Sequence, residues 1–183
     1  MGSDPLDWFR NPINSLASFR KLKYRAPPGL VGEIFKEIGV NAVAVPGGEI
    51  VHAAQRGVLD AAEWIGPADD LALGFHTVFI HYYLQGLYQS SNVSEVIFNR
   101  SVYNKLAPDL KEILQTAAMT AMTETCSYNV WRNAQAMLKL KTDFKVTIHD
   151  TPADIFPAFI KATNLIYDRE AGKNPFFKEV LES

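Results

Sequence analysis

The sequence predicts an α/β fold with a mostly parallel sheet flanked by helices. Short apolar runs alternate with amphipathic helical runs, and Pro or Gly breaks separate them at short intervals. From Pro108 to about Lys141 neither Gly nor a further Pro interrupts the chain, which predicts one long helix. A composition of 48% hydrophobic and 21% charged residues is that of an ordinary globular chain.

The first half of the chain supplies the alternation. Strands are predicted at residues 22–26, 41–46 and 59–65, with helices at 31–38 and 49–56 between them. A short helical turn capped at Ser15 precedes them. Strand, helix, strand, helix, strand with short joints is the pattern of a parallel sheet with right-handed crossovers.

The second half begins with an aromatic-rich stretch, residues 71–88, whose side chains we expect to lie mostly in the core. Strands are then predicted at residues 94–99 and 145–149, and helices at 108–141, 152–170 and 175–181. A helix of about 30 residues spans roughly 45 Å, which exceeds the ~30 Å diameter of a small domain. We therefore expect the long helix to bridge two domains or to pack against a partner chain.

Composition excludes several classes of function. The formal net charge of −2 argues against nucleic acid as a partner, because phosphate binding needs a basic face. No apolar run is long enough to cross a membrane, and no His/Cys cluster has zinc spacing. A single cysteine, Cys126, allows no internal disulfide. Residues 1–7 are typical of a leader outside the fold.

The most informative stretch is LDAAEWIGPADD, residues 59–70. A short apolar strand delivers Glu63 and Trp64 at its carboxyl end, and Gly66-Pro67 then turns the chain. Ligands of open α/β sheets bind just outside the carboxyl ends of the strands, so this pattern indicates the wall of a binding site. A buried Trp beside a surface Glu at an ordinary strand end is the alternative.

A run of motifs resembles the solute-binding receptors of TRAP transporters, the DctP family. The motifs are WFRNPINS, LKYRAPPG, VAVPGGEIVHAAQRGVLDAAEWIGP and YYLQG. The third is most similar to members that bind 2-oxo and 2-hydroxy carboxylates. The resemblance covers residue 8 to the C-terminus, but it matches only the C-terminal part of such receptors.

The resemblance implies a lobe of the periplasmic-binding-protein type, with one long helix that joins it to a second lobe. Residues 8–90 and 130–183 would form the second lobe of the receptor. Residues 91–129 would cross to a first lobe that this chain lacks. Because the strand predicted at 94–99 would then have no sheet neighbours, we expect a homo-oligomer or a domain-swapped dimer.

The resemblance also implies the binding residues. Arg25 would grip the substrate carboxylate, because a guanidinium presents a fork of donors that matches a carboxylate. Trp64 and Tyr88 would line the substrate. Glu63, Trp64 through its backbone carbonyl, and Gln89 would hold a cation, and oxygen-only ligands suit Na⁺ or Ca²⁺. A surface arginine on an alternating strand is the alternative for Arg25.

The leading hypothesis is a periplasmic receptor fragment that captures a small organic acid without chemistry and delivers it to the membrane subunits of a TRAP transporter. No catalytic residue or catalytic cofactor is expected, since nucleophile motifs and HExxH are absent from the sequence. Two alternatives stay open. One is an interaction module that assembles through its long helix, and the other is a small metal-dependent enzyme with Glu63 as its base.

Overall fold

The computed structural model describes residues 5–86 and 95–183, which form one six-stranded sheet with helices on both faces. The strands are β1 (Asp7–Phe9), β2 (Lys23–Arg25), β3 (Asn41–Val43), β4 (Ala61–Ala62), β5 (His81–Tyr83) and β6 (Thr147–His149). The helices are α1 (Leu16–Phe19), α2 (Leu30–Glu37), α3 (Ile50–Gln55), α4 (Pro67–Leu73), α5 (Arg100–Lys105), α6 (Pro108–Thr142), α7 (Ile155–Lys173) and α8 (Pro175–Glu182). Single 3₁₀ turns precede α3 and β5, at Gly47–Glu49 and Phe75–Thr77.

The order of the strands in the sheet is β3-β2-β4-β1-β5-β6. Parallel pairing joins β2 to β3, β2 to β4, and β5 to β6, whereas β1 lies antiparallel between β4 and β5. The prediction of a mostly parallel sheet is therefore confirmed, with one reversed strand at its centre. Because of that reversal, the amino end of β1 lies at the same edge as the carboxyl ends of the other strands.

Each face of the sheet packs against a separate apolar core. On one face α2 and α7 pack together over aromatic side chains, among them Phe19, Tyr24, Phe35 and Phe159. On the other face Trp8, Phe75, Phe79, Tyr82 and Leu140 form the core. The described aromatics of the 71–83 stretch are thus core residues, as the sequence predicts.

The structure corrects three expectations from the sequence. The leader expected at residues 1–7 does not extend to its last two residues, because Leu6 and Asp7 are fully buried and β1 begins at Asp7. Strand β5 lies in a stretch for which no strand was expected. Residues 95–99, expected to be a strand, form no ladder with any described residue and have no assigned secondary structure.

The long helix α6 is confirmed, at 35 residues. Only Ala136 and Leu140 of this helix are buried, and its contacts with the rest of the described chain are mainly to α4. The part of α6 before that contact, residues 108–129, therefore exposes apolar side chains, including Leu110, Ile113, Met119 and Met122.

Candidate functional site

The predicted binding residues meet at the edge of the sheet where the parallel strands end. Arg25 is the last residue of β2, and Glu63 directly follows β4. The parallel register pairs Arg25 with Ala62, the residue before Glu63. Arg25 and Glu63 are therefore one position apart along the ladder. Strand topology alone thus brings together two residues that are 38 positions apart.

Arg25 and Glu63 form a buried ion pair. The exposed fractions are 6% for Arg25 and 3% for Glu63. The Nη1 group of Arg25 donates to the Glu63 carboxylate and also, at 2.8 Å, to the Glu63 backbone carbonyl. Its Nε group donates to the backbone carbonyl of Val45 at 3.0 Å. Arg25 is therefore not the surface arginine of the alternative interpretation, and its Nη2 group has no hydrogen-bond acceptor among the described residues.

Trp64 forms a wall beside this pair. The guanidinium carbon of Arg25 lies 5.0 Å from the centre of the Trp64 ring, within the range of a cation–π contact. The backbone N–H of Trp64 donates to Asp7 Oδ2 at 2.6 Å. No donor among residues 5–86 and 95–183 forms a hydrogen bond with the Trp64 carbonyl oxygen, which leaves that oxygen available to a ligand.

Two buried carboxylates, Asp7 and Asp70, support the turn after β4. Asp70 accepts from the ring N–H of Trp8 at 2.9 Å and from the backbone N–H of Gly66 at 3.1 Å. Asp7 has a positive φ of 75°, a conformation that is uncommon outside glycine, and it holds Trp64. No local pattern predicts the bonds of Asp70 to Trp8 and of Asp7 to Trp64, because they join residues 62 and 57 positions apart.

Burial disfavours the charged forms of both carboxylates. It raises the pKa of Asp7 well above its ordinary value of 3.8, and the negative charge of Asp70 adds to that rise. Burial likewise raises the pKa of Asp70 to about 7, although the hydrogen bond from Trp8 opposes the rise. The negative charge of Glu63 also raises the pKa of Asp7, so these two carboxyl groups are close enough to interact.

Two of the predicted site residues, Tyr88 and Gln89, lie outside the described residues. The chain reaches them from β5, whose carboxyl end lies at the same edge of the sheet. Before them, Gln85 donates to Asp150 at 2.8 Å and accepts from the backbone N–H of Thr151 at 2.7 Å. These bonds fasten the segment after β5 to the segment after β6.

The donor set near Arg25 is suited to a hard cation. The oxygen donors there are the Glu63 carboxylate, which pairs with Arg25, and the Trp64 carbonyl, and both are of the kind that Na⁺ and Ca²⁺ prefer. In the part of the chain that the structure describes, no group of three His, Cys, Asp or Glu side chains is arranged to hold a metal. A cation here would thus depend on further oxygens, from the substrate or from residues outside the described ranges.

Within the described ranges, no helix combines the length and the apolar character that a membrane crossing requires.

Comparison with known proteins identifies the family. The model of the DctP family, described as bacterial extracellular solute-binding protein, family 7, matches residues 6–174. A curated relative, the monocarboxylate 2-oxoacid-binding periplasmic protein of Nostoc sp., is 33% identical over 175 residues. That alignment covers 96% of this chain and 48% of the relative.

Solved structures of TRAP solute-binding proteins share the fold. The Colwellia psychrerythraea protein, with bound calcium and pyruvate, superposes with a TM-score of 0.87 at 29% identity, covering 99% of this chain and 55% of that one. The Pseudoalteromonas atlantica protein, with bound sodium and pyruvate, gives 0.84 at 27% identity, with the same coverage of 99% and 55%. The Bordetella bronchiseptica protein, with calcium and picolinate, gives 0.81 at 30%, covering 97% and 52%.

The chain spans about half the length of the relatives it matches. The family match nevertheless covers nearly all of this chain, and it confirms the resemblance that the motifs predicted. The protein is thus a member of the DctP family of bacterial extracellular solute-binding proteins.

Proposed function

We propose that this chain is the ligand-binding part of a periplasmic receptor that captures a small 2-oxo or 2-hydroxy carboxylate together with Na⁺ or Ca²⁺. The receptor would deliver the acid to the membrane subunits of a TRAP-type secondary transporter. The observation that carries the proposal is the convergence of Arg25, Glu63 and Trp64 at the carboxyl ends of adjacent parallel strands. The relatives that bind pyruvate with calcium or sodium support the choice of ligand.

In this proposal Arg25 binds the carboxylate of the substrate. Its guanidinium is fixed by the Val45 and Glu63 carbonyls, so little conformational entropy is lost when a ligand adds to the remaining donors. Arg–carboxylate pairs are commonly bidentate, which gives them geometric specificity as well as strength. Trp64 and Tyr88 would line the substrate, and the indole of Trp64 would exclude water from one side.

Glu63, the Trp64 carbonyl and Gln89 are assigned to the cation. In the structure the Glu63 carboxylate is neutralised by Arg25, and a bound carboxylic acid would claim the same guanidinium. Burying two carboxylates against one guanidinium leaves an uncompensated negative charge, which is costly in a buried site. A cation at Glu63 restores the balance, so we expect the acid and the cation to bind cooperatively.

The division of the chain is part of this proposal. Residues 8–90 and 130–183 would belong to the second lobe, and residues 91–129 would cross to the first. The exposed apolar side chains of α6 support such a crossing, because isolated globular surfaces rarely expose large contiguous apolar patches. The same surface favours a homo-oligomer when nothing else covers it.

Capture without chemistry is the expected activity, since the chain belongs to a family of solute-binding proteins. We therefore infer a receptor and not an enzyme. Purified protein should leave pyruvate unchanged over long incubation, and turnover of the acid would favour the metal-dependent enzyme instead.

A thermal-shift series tests the proposal. Pyruvate, 2-oxobutyrate, lactate and succinate are each tested with Na⁺, with Ca²⁺ and with neither. A ligand that binds only the folded state stabilises it by about 2.7 kcal/mol when its concentration is 100 times its Kd. We expect a shift for a short 2-oxo or 2-hydroxy acid that is larger with one of the cations.

Variants of Glu63 and Arg25 separate binding of the cation from binding of the acid. Glu63→Gln should remove the cation dependence, and Arg25→Lys should weaken binding of every acid, because lysine cannot offer the bidentate fork. Arg169→Lys is the control, since Arg169 is an exposed residue of α7 that pairs with Glu33. If no acid shifts the melting point of the parent protein under any of these conditions, the proposal is wrong for this chain.

A further inference from the structure

The indole of Trp64 lies directly against Gly47, in the 3₁₀ turn that follows β3. A Cβ atom placed on Gly47 would stand 2.7 Å from Cζ3 and 2.8 Å from Cζ2 of Trp64, and closer still to Cη2. Real carbon atoms do not approach so closely, so any side chain at position 47 would force the ring to move. A Cβ placed on the adjacent Gly48 would meet nothing within 4 Å.

The backbone does not require glycine at either position. Neither Gly47 nor Gly48 has a φ in the left-handed region, in contrast to Gly29, Gly39 and Gly57. Alanine could therefore adopt the observed backbone conformation at both positions. The absence of a side chain at Gly47 thus serves the position of the Trp64 ring and not the shape of the turn.

Trp64 is held at three points. Asp7 accepts from its backbone N–H at 2.6 Å, the Arg25 guanidinium lies 5.0 Å from its ring centre, and Gly47 meets the far edge of the benzo ring. The first contact fixes the main chain, and the other two fix the ring. Because the ring contacts both Gly47 and the Arg25 guanidinium, its position sets how much room remains beside the guanidinium.

We propose that Gly47 is a specificity-determining residue of the site: by letting the Trp64 indole lie against the 47–49 turn, it sets the size of acid that fits beside Arg25. The inference rests on the proposed function, because it names the residue that limits the substituent on the bound carboxylate. A side chain at position 47 forces the indole to move, so the space beside the guanidinium changes and acids of different length are affected unequally.

The test compares Gly47→Ala with Gly48→Ala, which adds the same methyl group one residue away into open space. Calorimetric titration measures Kd for pyruvate and for 2-oxohexanoate in the presence of the preferred cation. One extra or missing methylene group in an apolar pocket changes the discrimination between two ligands by roughly 10- to 200-fold. We therefore expect the ratio of the two Kd values to change at least about tenfold in Gly47→Ala and to stay at the parent value in Gly48→Ala.

A second experiment detects movement of the Trp64 ring in the protein without any ligand. The chain has three tryptophans, so 5-fluorotryptophan labelling gives three fluorine resonances, and Trp64→Phe assigns one of them. Gly47→Ala should shift the Trp64 resonance and leave those of Trp8 and Trp131 in place. Gly48→Ala should shift none of them.

A double-mutant cycle covers the case in which Gly47→Ala folds poorly. Phenylalanine lacks the benzo ring atoms that the new methyl group would strike, so Gly47→Ala should cost less stability in a Trp64→Phe background than in the parent. An unchanged Kd ratio in Gly47→Ala, or an equal cost in both backgrounds, would overturn the inference. If the parent protein binds neither acid, the proposed function itself fails, and that result is separate from both of these.

Discussion

The Arg25 guanidinium binds the same residue twice, through the carboxylate of Glu63 and through its backbone carbonyl at 2.8 Å. Removing one partner of a buried ion pair typically costs about 3–5 kcal/mol, because the other charge stays buried without compensation. Loss of ligand binding in a single variant could therefore come from a loss of stability. The pair needs a test that separates its structural role from its binding role.

Replacing both residues separates the two roles. We expect Arg25→Met and Glu63→Met each to destabilise the fold by about 3 kcal/mol, whereas the double variant R25M/E63M should be more stable than either single variant. Urea unfolding measures the free energy of unfolding of the parent and of the three variants. The double variant should nevertheless give no thermal shift with pyruvate and Ca²⁺. A double variant that loses as much stability as the sum of the single variants would contradict this account of the pair.

The two buried carboxylates predict how stability depends on pH. The pKa of Asp70 is about 7 in the folded protein and 3.8 ordinarily, so the folded state binds the proton more tightly than the unfolded state does. The stabilisation is complete below pH 4 and is lost as the pH rises through 7. Asp7 acts in the same direction, because its pKa is also raised.

We therefore expect the free energy of unfolding to fall between pH 5 and pH 8, with a contribution from Asp70 on the order of 2 kcal/mol. Urea unfolding at several pH values measures the slope. Asp70→Asn should reduce the slope, since the amide does not titrate, while Asp168→Asn, in the exposed part of α7, should leave it unchanged. Stability that rises across this window in the parent, but not in Asp70→Asn, would show that Asp70 is charged in the folded state.

The cap of α1 predicts a local effect on stability. The Ser15 hydroxyl accepts from the backbone N–H of Ser18, and the Ser18 hydroxyl accepts from that of Ser15, which is a reciprocal capping box. Ser15→Ala should cost about 1 kcal/mol by urea unfolding. Thr123→Ala, in the exposed middle of α6, should change stability by less than about 0.5 kcal/mol. Equal effects of the two substitutions would contradict the role of the cap.

The exposed apolar side chains of α6 predict self-association. Ile113 and Met122 are 60% and 69% exposed, and they lie in the part of the helix, residues 108–129, that has few contacts with the rest of the described chain. We expect light scattering after size exclusion to give a mass above 20.4 kDa that rises with concentration. I113E/M122E should lower the mass, whereas Val58→Glu, at an exposed turn, should not. A mass that stays at the value of a single chain at all concentrations would contradict the prediction.

Elements with clear periodicity and turn residues were predicted well. The strand that contains Arg25, the strand before Glu63 and the long helix all lie close to their predicted positions. The missed strands, β1 and β5, are three residues long and lie among aromatic side chains that are buried on both faces. Such runs carry no alternation, because neither face of the strand meets water. The strand predicted at 94–99 was expected to lack sheet neighbours, and residues 95–99 accordingly pair with no described strand and are not assigned as one, since a strand needs a partner for its backbone.

The residues of the candidate site also fall into two groups, those that local motifs predict and those that only the tertiary structure brings to the site. Arg25, Glu63 and Trp64 were found from their motifs, because strand ends and turn residues are local features of a sequence. Asp7, Asp70 and Gly47 were not, since each acts on a tryptophan in a different segment of the chain. Local order therefore follows from periodicity, capping and turn chemistry along the chain. Which carboxylates are buried, which tryptophan each one holds and where the Trp64 ring lies depend on the tertiary packing of the strands, because burial and hydrogen bonding join residues that are distant in sequence.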